Sequence, residues 1–269
     1  MVKTRQKQVV GVRITLLLAL LGLLFFAVNT LIIVSRQGSD FLGRLSDIES
    51  VALGVLAVFA CVLVFRRISK GFKERRSWVL IAVSLGLFTL GDIFWAYDEW
   101  RSSMLPLGSI ADVFWIAAYV LLIAAIYFLV SRMFFSCHKT VYFTLAVMLV
   151  VSSVFICGHV IPRYQSTGAW EEVINSSYVV FDIVLLGLLV MMLQPLLSEH
   201  NPFSRMWFLF GLAFVSRMIF DVVFAYLVGK GKYYSGHPID IAYDLTYVLL
   251  LFMIDWKMVQ MQQVARVRT

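Results

Sequence analysis

Charge is scarce in this sequence: Asp, Glu, Lys and Arg together make up only 14% of 269 residues, whereas 61% are hydrophobic and the mean hydropathy is +0.87. That balance excludes an ordinary soluble domain, in which about a quarter of the residues are charged. Cysteine is scarce too. Cys61, Cys137 and Cys157 are odd in number, have no paired spacing and lie in or beside apolar stretches, so neither a disulfide framework nor a zinc pattern is present. The chain also lacks a Walker motif, G-x-S-x-G, H-E-x-x-H, and a Cys, His and Arg set at the depth an intramembrane peptidase needs. His138, His159, His200 and His237 form no pair with metal-ligand spacing, and Lys257 lies too near the end of the last apolar run for a retinal Schiff base. No nucleophile is visible, no metal site is expected and no cofactor is implied.

What is present is hydrocarbon in long runs. Stretches able to cross about 30 Å of bilayer at about 1.5 Å per residue fall in eight places. They cover roughly 14–34, 48–65, 78–98, 110–131, 140–161, 177–197, 206–228 and 238–257. The expected fold class is therefore all-α, a polytopic integral membrane protein of about eight transmembrane helices, with the lipid bilayer as its first partner. The basic start followed by 14–34 could be mistaken for a secretory signal, but its length suits a retained span and it lacks a small-x-small cleavage site.

The net charge of +7 would suggest nucleic acid in a soluble protein; in a membrane chain it must be counted by loop. With the N-terminus inside, sixteen of the 23 Lys and Arg residues fall on the cytoplasmic side and six outside, leaving Arg217 within a span. This positive-inside bias predicts an inner (plasma) membrane protein with both termini cytoplasmic, and no nucleic-acid partner. The segment RRISKGFKERR at 66–76 supplies six of the sixteen and is read as fixing topology against anionic headgroups.

The polar residues inside the spans recur. Sliding the chain by 129 residues places Trp78 on Trp207, Asp92 on Asp221 and Tyr97 on Tyr226; with one loop residue deleted, Gly108 meets Gly236, Asp112 meets Asp240 and Tyr119 meets Tyr247. The duplication predicts two four-helix halves, 1–138 and 139–269, in the same orientation: a parallel 4+4 repeat about an axis along the membrane normal.

Helical rise places Asp92, Asp112, Asp182, Asp221, Asp240 and Asp244 in the outer half of the bilayer, facing one embedded base, Arg217. Charges in hydrocarbon are costly, so these residues, with Tyr97 and Tyr226, are the candidate ligand- or proton-binding set. Each acid also has a plain structural reading. Ser109-Ile-Ala-Asp112 is a capping pattern, Pro238 suits a first helical position ahead of Asp240, and Arg217 with Asp221 forms an i,i+4 ion pair. Asp92 has Phe88 where Asp221 has its arginine. It is expected to protonate or to find a partner on another helix, such as Tyr97, Tyr119 or Tyr247. Aromatic residues at the outer edge, among them Trp100, Tyr164, Trp170, Tyr233 and Tyr234, read as an interfacial belt, with a stacking site as the minority reading.

The run GDIFWAYDEW followed by PLGSIADVFWIAAYVLL resembles the membrane-embedded N-terminal sensory region of some prokaryotic signalling proteins, those ahead of diguanylate cyclase or histidine kinase domains. Gly91, Asp92, Trp95, Pro106, Ser109, Ala111 and Asp112 carry the resemblance. It implies a sensor that binds something at its outer side; with no GGDEF or kinase motif after the eighth span, output is expected on a separate partner, reached through the tail DWKMVQMQQVARVRT. A homo-oligomer stays open. The alternatives are a small transporter or channel coupled to cations or protons and, further off, a lipid-active membrane enzyme.

Overall fold

The computed structural model describes residues 2–35, 40–68, 74–102, 108–133, 138–155, 158, 161, 170–198 and 203–267. Eight long α-helices carry these residues, and no strand occurs among them. They are α1 (Val2–Ser35), α2 (Asp40–Arg67), α3 (Glu74–Ser102), α4 (Ile110–Met133), α5 (His138–Phe155), α6 (Trp170–Ser198), α7 (Phe203–Gly229) and α8 (Asp240–Val267). Five contain segments long and apolar enough to cross a membrane: Val12–Ser35, Phe41–Arg67, Glu74–Arg101, Ile110–Leu129 and Arg205–Gly229. α5 and α6 hold shorter apolar runs, Ala146–Phe155 and Ser176–Met191, and α8 carries Asp240, Asp244, Asp255 and Lys257 along its length.

Most helices outrun the apolar stretches that announce them, because hydropathy marks the hydrocarbon-matched part while backbone hydrogen bonding continues through polar turns. Thus α2 begins at Asp40, not near 48, and α8 runs to Val267, not 257. The early start of α2 matters, since it makes Asp47 a helical residue that meets Trp100 of α3. Several residues named above lie outside the described residues: Pro106, 69–73 of the basic segment, Cys137, Cys157, His159, Tyr164, His200 and the end of the tail, together with the side chain of His138.

Six helices close a ring in the order α2, α3, α4, α6, α7, α8, each packed on the next and α8 returning to α2. α1 lies outside against α2 and α8, and α5 lies outside against α6. The ring is filled by apolar side chains with almost no exposure, among them Trp78, Leu85, Leu122, Phe210, Phe214 and Leu251. The usual soluble distribution is reversed around it: Leu17, Leu31, Val113, Phe143 and Val154 are each more than 60% exposed, while Asp92, Asp182, Arg217 and Asp244 are buried. An outside this apolar is far beyond the patches that water-soluble monomers display.

Two connections set the geometry at one end of the ring. Ahead of α4, Gly108 has φ 68°, Ser109 Oγ accepts the Ala111 N–H at 3.1 Å and Asp112 accepts the Ser109 N–H at 2.9 Å. Ahead of α8, Gly236 has φ 80°, His237 Nδ1 accepts the Ile239 N–H at 3.2 Å and Asp240 accepts the Gly236 N–H at 2.8 Å. In both, a left-handed glycine reverses the chain and two side chains satisfy the orphan donors of the new helix.

Candidate functional site

The end of the ring that holds these two connections contains a cavity of about 70 Å³. Every ring helix contributes to it: α2 through Ser46, Asp47 and Ser50; α3 through Asp92 and Trp95; α4 through Trp115; α6 through Tyr178. From the other side α7 supplies Arg217, Phe220, Asp221 and Phe224, the α7–α8 connection Tyr233, and α8 Asp240 and Tyr243.

Asp92 is the best-solvated acid. Trp115 Nε1 donates to its Oδ1 at 3.0 Å, the Tyr243 hydroxyl donates to the same oxygen, and the Tyr247 hydroxyl donates to Oδ2 at 2.6 Å. Three donors on two oxygens nearly fill the acceptor capacity of a carboxylate, which is how a buried acid is tolerated without its own arginine. The geometry depends on Gly91: a Cβ there would fall inside the Trp115 indole, at Nε1 and Cδ1, so only glycine lets the ring lie against α3 and reach the next residue.

Asp221 is held differently. Arg217 Nε lies 3.6 Å from its Oδ2, the ion pair expected from the i,i+4 spacing, at a distance longer than a hydrogen bond. The guanidinium also stands 4.0 Å from the Tyr243 ring centre and 5.0 Å from that of Phe88, so rings carry part of its compensation. The Tyr119 hydroxyl is 2.8 Å from both Asp221 Oδ2 and Asp182 Oδ1. A phenol has one proton to give, so the Tyr119 hydroxyl donates to one of the two carboxyl groups at a time.

The remaining candidates sort by position. Asp112 lies behind the cavity, capped by Ser109 and hydrogen-bonded by the Tyr178 hydroxyl. Asp240 lines it while capping α8 and accepting from Tyr233 Oη at 3.0 Å. Burial, with Asp240 adding to it, holds the Tyr233 phenol well above its ordinary range, so it stays a donor. Asp244 is buried one turn on and accepts from Ser50 Oγ at 2.6 Å, and Asp182, also buried, meets Tyr119 and does not line the cavity. Tyr97 and Tyr226 stand apart, 57% and 61% exposed on the outside of the bundle, and neither lines the cavity. The tyrosines that meet Asp92 are Tyr243 and Tyr247, not Tyr97 or Tyr119. Among the described residues no group of three His, Cys, Asp or Glu side chains is placed to hold a metal ion.

Sequence reasoning passed over Trp115, Tyr243, Tyr178, Phe220, Phe224 and Asp47. One signal was there to use: Trp115 and Tyr243 occupy matching positions of the two copies, each three residues beyond a capping aspartate. Tyr233, assigned to an interfacial belt, instead turns inward. No protein-family model, curated protein or solved structure matches this chain.

Proposed function

We propose that this chain is a multi-pass membrane protein of eight spans, arranged as a parallel 4+4 repeat, that binds a small ligand in the outer cavity and passes its occupancy to a partner. The observation that carries this reading is that one cavity is lined by all six ring helices, three from each half. A ligand there touches both halves at once and can bias how they pack, which is what a binding site must do to report its state. Asp92 on α3 is tied to α8 by two tyrosines, so a ligand that competes for Asp92 acts directly on the last helix.

The repeat gains support from the contacts themselves. Under the pairing of α1 to α4 with α5 to α8, the contacts α2·α3, α3·α4, α1·α2 and α4·α6 correspond to α6·α7, α7·α8, α5·α6 and α8·α2, all of which occur. The hydrogen bonds follow suit: Tyr247 reaches across to Asp92 as its counterpart Tyr119 reaches across to Asp221. Membrane insertion is supported by the apolar exterior and the buried acids, and the positive-inside count puts the cavity on the outer side.

The carrier alternative is weaker. About one to three turns beyond the cavity, Leu85, Leu122, Ile126, Phe210 and Phe214 are fully buried, and a solute path toward the other end would have to part them. The test is thermal stability of the purified protein in nanodiscs against a chemically broad panel of anions, cations, amines and neutral solutes, paired with flux measurements in liposomes. Saturable stabilisation without flux supports a binding module; flux of the stabilising solute transfers the reading to a carrier; no stabilisation by any compound removes the proposal.

A further inference from the structure

Resting on the reading of the cavity as a ligand site, we infer that its ligand carries a methylated ammonium group. Aromatic rings form an almost unbroken wall. Trp115 stands edge-on to Tyr178 at 6.3 Å and tilted to Trp95 at 5.5 Å, Trp95 meets Phe224 at 6.1 Å, and Phe224 meets Tyr233 at 4.6 Å and Phe220 at 5.4 Å. A cavity walled by aromatic rings suits a cation that sheds its water easily, since each ring face it meets attracts positive charge.

The charges point the same way. Asp47, Asp92, Asp221 and Asp240 line the cavity against one guanidinium, that of Arg217, which already rests on Tyr243 and beside Asp221. A second cation is therefore favoured over an anion. Its kind follows from how the acids are occupied. Asp92 takes three donors and Asp240 takes Tyr233 and the Gly236 amide, whereas Asp221 shares the Tyr119 hydroxyl with Asp182 and Asp47 takes Trp100 Nε1. Two of the four carboxyl groups are thus largely filled, and two keep an oxygen that can accept. Two open oxygens are too few for a hydrated metal ion, and the aromatic wall favours an ammonium bearing methyl groups over ammonium itself, which holds its water more tightly. Size agrees: about 70 Å³ is room for about five waters, which is the heavy-atom count of tetramethylammonium.

The same group can come from a free solute such as choline or from a phosphatidylcholine headgroup, and the experiment separates them. Full-length protein is placed in nanodiscs of phosphatidylethanolamine and phosphatidylglycerol. Tetramethylammonium, choline, ammonium and sodium are titrated at constant ionic strength, following melting temperature and binding of tritiated choline. Choline and tetramethylammonium are expected to stabilise saturably, with ammonium and sodium inert at the same concentrations. Trp95→Leu should weaken choline binding about tenfold and Trp95→Phe, which keeps an aromatic face, should restore most of it. The unliganded melting temperature of each variant checks that it folds. When phosphatidylcholine replaces phosphatidylethanolamine, a rise in the unliganded melting temperature with loss of choline binding identifies the lipid headgroup as the source; an unchanged choline titration identifies the solute. Stabilisation by a compound of another class, with neither methylated ammonium binding, overturns this inference and leaves the binding module standing. No binding by any compound overturns both.

Discussion

Replacing Asp92 by asparagine and by leucine separates two accounts of a buried acid that predict opposite orders of stability. If Asp92 were simply an expensive charge, leucine would relieve the cost and the variant would match or exceed the wild type. The hydrogen bonds argue otherwise. Trp115, Tyr243 and Tyr247 all donate to Asp92 from buried or half-buried positions. Asparagine keeps the shape and one acceptor oxygen, and a tyrosine hydroxyl can turn to accept from its amide, so the bonds persist but lose their charge assistance, about 1 kcal/mol each or about 3 kcal/mol in all. Leucine strands three donors at about 1–3 kcal/mol each, so it should cost more than asparagine by several kcal/mol and lower the yield of folded protein. Equilibrium unfolding in mixed micelles with increasing dodecyl sulfate, followed by tryptophan emission, measures both. A leucine variant as stable as the asparagine variant would refute the claim that donor satisfaction governs this residue.

Three further perturbations probe the surrounding frame. Gly91→Ala should force the Trp115 indole off α3, costing about 1–3 kcal/mol through overpacking and altering tryptophan emission; wild-type stability would show that the ring has room to shift. Tyr119→Phe should destabilise more than Tyr247→Phe, because it removes the hydroxyl between Asp182 and Asp221 whereas Asp92 keeps two other donors; equal losses in the same unfolding assay would count against the bridge. His237 must be neutral at Nδ1 to accept the Ile239 N–H, and burial lowers its pKa below the ordinary value. Its contribution to stability is thus present above that ordinary value and lost as pH falls through the lowered one. His237→Ser, which installs the residue found at the matching position 109, should cap α8 without that acid sensitivity, as melting curves between pH 4 and pH 8 would record.

The helices were legible because hydrocarbon length is written directly in composition, and the caps were legible because Ser109-Ile-Ala-Asp112 and Pro238-Ile-Asp240 are local patterns. The cavity was not, and the reason is physical. A wall built from Trp95, Trp115, Tyr178, Phe224 and Tyr233 consists of residue types that a membrane protein also scatters along its interfaces, so nothing in their identity says inward or outward. Tyr97 and Tyr226 make the point from the other side: they match across the two copies as well as Tyr119 and Tyr247 do, yet they face out while the latter pair is buried. Matching positions predict matching environments, not function. Asp47 was hidden for a different reason, since the apolar run that announces α2 starts after it although the helix starts before it.

The two copies, read as a repeat, solve one problem in two ways, and the difference bears on what the cavity can hold. Asp92 and Asp221 occupy corresponding sites in the sequence, and so do the two donors Trp115 and Tyr243. Both donors turn to Asp92. Asp221 is left to Arg217, which replaces the Phe88 of the first copy, and to Tyr119. Symmetry near the axis would offer two equal half-sites or none; the single exchange of phenylalanine for arginine gives the cavity one neutralised wall and one wall held only by neutral donors. On the proposed reading, a ligand would therefore meet a directional site on an otherwise two-fold frame.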